Sequence, residues 1–183
     1  DLQLRLVNDG YALPYQINVP GYSSQSGIVP HWSQWRNELF GFSYEPAVIV
    51  FNESFLEGKE VPLSRVELLS FIRLHSDELM GKIGLFDIRD VGIGYLLWSF
   101  ERAQTSNYGQ FLELFNLHQA RTFDSSASML QALTDGDIAI AYNIMGSYAN
   151  SWESKHKDVV IVAANDYTPC LLYTSPSPRD SSK

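Results

Sequence analysis

Three short polar segments of this 183-residue chain carry the residue types that hold an oxyanion. Arg89-Asp90-Val91-Gly92-Ile93-Gly94 offers a guanidinium able to make two parallel hydrogen bonds to a carboxylate or phosphate, followed by glycines that leave backbone N–H groups open. Asp124-Ser125-Ser126 places hydroxyls just before an apolar helical run. Asn143-Ile144-Met145-Gly146-Ser147-Tyr148 adds an amide, a hydroxyl and a phenol. Each follows a strand-like run and precedes a helical pattern. Each is therefore expected beside a helix N-terminus, where free N–H groups and the helix dipole favour negative charge.

The same residues have plainer readings. Ser125 and Ser126 can be helix caps, Arg89 can pair with Asp87 or Asp90 on the surface, and Asn143 can order a turn. Gly92 and Gly94 lack the third glycine of a dinucleotide fingerprint and equally suit close helix packing. Tyr142, Tyr148 and Trp152 can be core or rim aromatics.

Other chemistry finds little support. His31, His75, His118 and His156 are widely spaced, with no metal-ligand spacing among them, so each is expected at the surface or satisfied in the core. There is no Gly-x-Ser-x-Gly elbow and no phosphate-binding lysine loop. Neither a catalytic residue nor a metal nor a cofactor is assigned. The net charge of −8 lacks the basic footprint that phosphate backbones require, which argues against a nucleic-acid partner. No apolar run approaches the roughly 18 residues of a membrane span.

The segment Cys170 to Asp180 back-translates to the transposase adapter used in sequencing libraries, so 170–183 is expected to be a non-native tail. It contains the only cysteine, and without its Arg179, Asp180 and Lys183 the rest of the chain is more acidic still. Asp1 is not a methionine.

The elements that must position the polar segments alternate between strand and helix. Asp1 to Asn8, closed by Asp9-Gly10, reads as a helix end. Tyr11 to Trp35 is rich in proline, glycine and serine and reads as surface loop. Ala47 to Asn52 is a buried-type strand. Ser64, with Glu67 three residues on, caps a helix expected to reach Leu79. Further strands are expected at Ile83–Asp87, around Arg121–Phe123, at Ile138–Tyr142 and at Val159–Ala163. Helices fall between them at Val91–Ala103, Tyr108–Asn116, Ala127–Thr134 and from Gly146 to Lys155. Such alternation predicts an α/β fold with a mostly parallel sheet and helices on both faces.

The strings EPAVIVFN, GKIGLFDI and FDSSASMLQALTDGDIAIAYN resemble extracellular solute-binding proteins of ABC importers, of the ferric-iron and organophosphate type. That resemblance implies a type II periplasmic-binding fold, two α/β lobes joined by crossing strands that close on a ligand. In these terms 1–45 is a remnant of an incomplete lobe one, 46–52 a crossing strand, 53–164 lobe two and 165–169 the return crossing. Tyr44 and Glu45 then stand where a crossing segment reaches the cleft. The full candidate ligand-binding set is Tyr44, Glu45, Arg89, Asp90, Gly92, Ser125, Ser126, Asn143, Ser147 and Tyr148.

By the same resemblance the protein is a monomer, periplasmic or tethered outside the cell membrane, whose partners are a small-molecule or ion solute and an ABC permease. Ferric binders of this type carry adjacent tyrosines just after the strand matching Ile138–Tyr142. This chain has Met145-Gly146-Ser147-Tyr148 there, which favours an anionic organic solute such as an organophosphate or phosphonate over ferric ion. Two alternatives remain: an enzyme on the same two-lobed fold, and the ligand-sensing domain of a transcriptional regulator.

Overall fold

Leu2–Asn8 forms helix α1, and its end shows why Asp9-Gly10 reads as a stop. Gly10 takes φ +79°, while Tyr11 N–H donates to the Leu6 carbonyl and Gly10 N–H to that of Val7, the paired bonds of a Schellman cap. The computed structural model describes residues 2–15 and 34–176. Most of the proline-rich loop expected at Tyr11–Trp35 therefore lies outside the described residues, as does His31.

The chain divides into two compact units, Asp1–Glu45 with Leu171–Lys183, and Pro46–Cys170. In the first, β1 (Gln34–Trp35) pairs antiparallel with the start of β2 (Leu39–Asn52), and Val7, Ala12 and Leu39 form a small apolar cluster. β2 is longer than the strand expected from Ala47: it starts at Leu39 and runs from the first unit into the second.

The second unit holds the main core. Asn52 ends β2 and caps α2 (Glu53–Leu56) by accepting from Phe55 N–H. Ser64 Oγ accepts from Glu67 N–H at the start of α3 (Arg65–Leu74), while Glu67 Oε2 accepts from Leu63 N–H. The helix ends five residues before the expected Leu79. His75 leaves helical geometry, and Ser76 Oγ instead meets His118 Nε2 at 2.9 Å.

Then follow β3 (Ile83–Phe86), α4 (Gly92–Gln104), α5 (Tyr108–Leu117), β4 (Arg121–Phe123) and α6 (Ser126–Thr134). After them come β5 (Ile140–Met145), α7 (Gly146–Glu153), β6 (Val159–Val162) and β7 (Cys170–Pro176). β7 falls within the tail set apart in the sequence, and it pairs with β2.

Within the second unit the strand order is β6-β2-β5-β3-β4. β5, β3 and β4 run parallel, and β2 is antiparallel to both β5 and β6, so four of the five strands share one direction. On one face Ile49, Phe51, Ile83 and Ile140 bury against Leu68 and Ile72 of α3 and Phe111 and Phe115 of α5. α6 and α7 supply Met129, Leu130, Leu133 and Ala149, all buried; Met129 lies within van der Waals reach of Gly84 in β3. Burying each large apolar side chain contributes about 1.5–3 kcal/mol, so this two-faced core dominates the stability of the unit.

Candidate ligand-binding site

Because β5, β3 and β4 are adjacent and parallel, their C-terminal ends lie along one edge of the sheet. In such sheets ligands bind beyond that edge. Of the segments singled out in the sequence, Arg89 to Gly94 follows β3, Asp124 to Ser126 follows β4, and of Asn143 to Tyr148 only Gly146 to Tyr148 follows β5.

At the first junction Arg89 turns back on the chain. Its Nε and Nη2 donate to the two carboxylate oxygens of Asp87, and its side chain is 81% exposed. Hydrogen bonds from the Arg89 side chain and backbone hold the Asp87 carboxyl down to about 2. Asp90 is exposed beside it, as is Gly92, the first residue of α4. Gly94 has a packing role: a Cβ there would stand 2.6 Å from Phe86 Cβ, so helix and strand approach more closely than any other residue allows. No side chain caps the N-terminus of α4.

At the second junction Ser125 Oγ accepts from Ser128 N–H and caps α6; Ser126 is buried in the first turn. Asp124 accepts from the hydroxyls of Ser128 and Ser125, which lower its carboxyl below the usual range. At the third, α7 starts at Gly146 with no side-chain cap, Ser147 is exposed, and Tyr148 is 57% exposed. Gly146 packs on Pro46, whose Cγ would lie 2.9 Å from a Cβ. Tyr44 and Glu45 lie on β2 in the first unit, Tyr44 exposed and Glu45 half-buried.

Asn143 requires a correction. Expected on the junction that follows a strand ending at Tyr142, it is a residue of β5 itself, because the strand runs on to Met145. The pairing with β2 shifts register here: Val48 stands opposite Ile144 but Val50 opposite Ala141, so Tyr142 and Asn143 together face Ile49. This is a β-bulge, and Asn143 takes φ +60°, the left-handed conformation that asparagine tolerates better than most residues.

The bulge brings consecutive side chains, which would otherwise alternate, to one buried group. Arg65 Nε lies 3.2 Å from Tyr142 Oη, and Arg65 Nη2 donates to Asn143 Oδ1 at 2.9 Å. Glu101 of α4 completes the cluster, with its Oε1 accepting from Arg65 Nε at 2.9 Å and from Tyr142 Oη–H at 2.6 Å. Arg65 and Glu101 are each 1% exposed. Arg65 Nη1 also donates to the Tyr167 carbonyl, and its guanidinium carbon sits 4.5 Å from the centre of the Tyr167 ring.

Burial works against the charge on Arg65, but Tyr142 and Glu101 outweigh it and hold the guanidinium above its ordinary pKa. Burial, reinforced by Glu101, pushes the Tyr142 phenol well up. Among the described residues, Glu101 Oε2 and Asn143 Nδ2 of the cluster find no hydrogen-bond partner. The sequence reading passed over Arg65 and Glu101. On a helix pattern each reads as a surface charge, and only the tertiary fold reveals their burial.

The three described histidines play structural parts. His118 is buried, its Nδ1 donating to the Leu114 carbonyl and its Nε2 meeting Ser76 Oγ; His75 contacts Glu78, and His156 stacks on Trp152. No group of three potential metal-ligating side chains occurs among the described residues.

No protein-family model matches the chain, and no curated protein matches it. Solved structures do. A substrate-binding protein of an ABC transporter from Agrobacterium tumefaciens is 30% identical with a TM-score of 0.79, over 99% of this chain and 52% of that one. An extracellular solute-binding protein from Bordetella parapertussis is 17% identical with a TM-score of 0.70, over 96% of this chain and 55% of that one. The ferric iron-binding protein A of Mannheimia haemolytica, in an open conformation, is 13% identical with a TM-score of 0.66, over 98% and 56%. The chain thus spans about half the length of these proteins, and over that half it has the α/β fold of type II periplasmic binding proteins, the fold of substrate-binding components of ABC transporters.

Proposed function

We propose that this chain is part of a solute-binding protein that serves an ABC importer, capturing an anionic organic solute such as an organophosphate or phosphonate and releasing it unchanged to a permease. The observation that carries this reading is the alignment of three strand-to-helix junctions along one sheet edge, two of them with helix N-termini that no side chain caps. Uncapped N–H groups there favour an anion without any catalytic group. The similarity to substrate-binding proteins supports the same role.

In this reading 46–52 and 165–169 are crossings, 53–164 is the second lobe, and Asp90, Gly92, Ser125, Ser126, Asn143, Ser147 and Tyr148 line its share of the cleft. Arg89 contributes by releasing Asp87 for the ligand. Ferric ion is the less favoured cargo. Tyr142 in β5 is buried and donates its hydroxyl to Glu101, and Tyr148, just after the strand, has no adjacent tyrosine. The protein works outside the cytoplasmic membrane; no helix among the described residues is long and apolar enough to cross one.

The test is a thermal-shift screen against phosphate, phosphoglycerates, phosphonates, ferric ion, sugars and amino acids. A ligand at about a hundred times its dissociation constant adds about 2.7 kcal/mol of stability. A phosphorylated or phosphonate hit recovered unchanged supports the reading, and turnover of the hit overturns it. Arg89→Ala and Ser126→Ala variants with unaltered affinity would remove those two residues from the site.

A further inference from the structure

Asn143 combines two unfavourable features. Its backbone sits at φ +60° inside a strand, and its Nδ2 is a donor with no partner among the described residues, on a residue only 3% exposed. An orphaned buried donor costs about 1–3 kcal/mol, and strained residues of this kind concentrate where ligands are held. The orientation of the amide is settled by Arg65. A guanidinium has donors only, so the atom that meets Arg65 Nη2 at 2.9 Å must be the carbonyl oxygen Oδ1.

Arg65 is itself locked from three sides, by Glu101 through Nε, by the Tyr167 carbonyl through Nη1, and by the Tyr167 ring. It cannot rotate to offer Asn143 anything but a donor. The N–H2 group, in the bulge of β5 two residues before the strand ends, is therefore fixed as a donor.

We propose that Arg65 is a positioning residue, which fixes the Asn143 amide so that its N–H2 group meets a hydrogen-bond acceptor of the solute, a carboxylate or phosphoryl oxygen, and disfavours a cationic group at that point. This rests on the solute-binding reading and adds to it the residue that sets the polarity of the subsite. The hydrogen-bonded Glu101 and Tyr142 make Arg65 part of the frame; it touches no solute.

The experiment is nuclear magnetic resonance on the 15N-labelled chain, with the Asn143 side-chain amide pair identified by its loss in Asn143→Asp. Phosphonoacetate and 3-phosphoglycerate are the acceptor probes, and spermidine is the cationic one. The expected result is a saturable shift of the Asn143 pair with an acceptor probe and none with spermidine. Asn143→Asp should weaken that probe at least about tenfold, equivalent to about 1.4 kcal/mol. Arg65→Lys keeps the charge but loses the fork, so it should shift the Asn143 pair in the free protein and weaken the probe while Asn143 remains present.

A probe that moves backbone resonances at the three junctions but leaves the Asn143 pair in place overturns the inference and leaves the solute-binding reading standing. So does a folded Arg65→Lys with unchanged affinity, the result of a purely structural role. If Arg65→Lys does not fold, the wild-type titration and Asn143→Asp decide. Silence of every resonance with every probe overturns the solute-binding reading itself and the inference with it.

Discussion

Arg65 Nη2 and Asn143 Oδ1 lie 2.9 Å apart although 78 residues separate them in the chain. The contact ties the first turn of α3 to the bulge in β5, and through Glu101 it reaches α4. A buried charge pair of this kind seldom adds much relative to apolar residues of the same shape, yet breaking one half is costly.

Arg65→Met is accordingly expected to destabilise the chain by about 3–5 kcal/mol, because Glu101 is left buried without its counter-charge. Arg65→Met combined with Glu101→Leu should recover much of that loss. Urea denaturation of the three proteins checks this. Single and double variants of equal stability would show that the packing of Arg65, not its charge, is what the fold requires.

The Asp87–Arg89 pair makes a prediction in pH. With the folded carboxyl held to about 2, against an ordinary value of 3.8, the pair stabilises the fold fully above about pH 4 and loses its effect as the pH falls through 2. Arg89→Ala should return the Asp87 carboxyl toward 3.8, read by its side-chain carbon shift. The stability difference between the two proteins should vanish at the acid end. A carboxyl that titrates unchanged in the variant would place the cause in the surrounding backbone.

Gly94 carries a steric prediction. A methyl group there would stand 2.6 Å from Phe86 Cβ, an atom fixed by the strand backbone. Gly94→Ala should cost about 1–3 kcal/mol despite the better helix propensity of alanine, because α4 must move off β3. Gly109, in the first turn of α5, has nothing within 4 Å of where a Cβ would stand and serves as the control. Gly109→Ala should be neutral or stabilising in thermal melts.

Much of the fold was legible because local signals agreed with it. Ser64 and Ser125 cap the helices their positions suggested, Gly10 and Gly136 close α1 and α6 with positive φ, and the apolar run from Ala47 forms the buried half of β2. The candidate site was legible only to its edge. Sequence patterns locate the junctions after β3, β4 and β5 but do not show that Arg89 folds back on Asp87. Arg65 and Glu101 follow ordinary helical patterning, and their burial comes from α3 and α4 meeting over Tyr142. The bulge left no signal either, since an Asn in a strand-to-helix transition equally suits the turn expected there.

The bulge itself can be separated from the hydrogen bond it enables. Asn143→Ala and Asn143→Gly both remove the side-chain oxygen that receives Arg65, so the lost bond is common to both. What differs is the backbone: at φ +60° a Cβ costs about 1–2 kcal/mol, whereas glycine adopts the conformation freely but loses about 0.5–1 kcal/mol more entropy on folding. The glycine variant should therefore be the more stable of the two by about 1 kcal/mol, the reverse of the usual order for a strand interior. Equilibrium denaturation measures this directly. An alanine variant more stable than the glycine one would mean that β5 relaxes to a regular ladder once Asn143 is gone, and that Arg65 and Asn143 together, not the local chain, hold the bulge open.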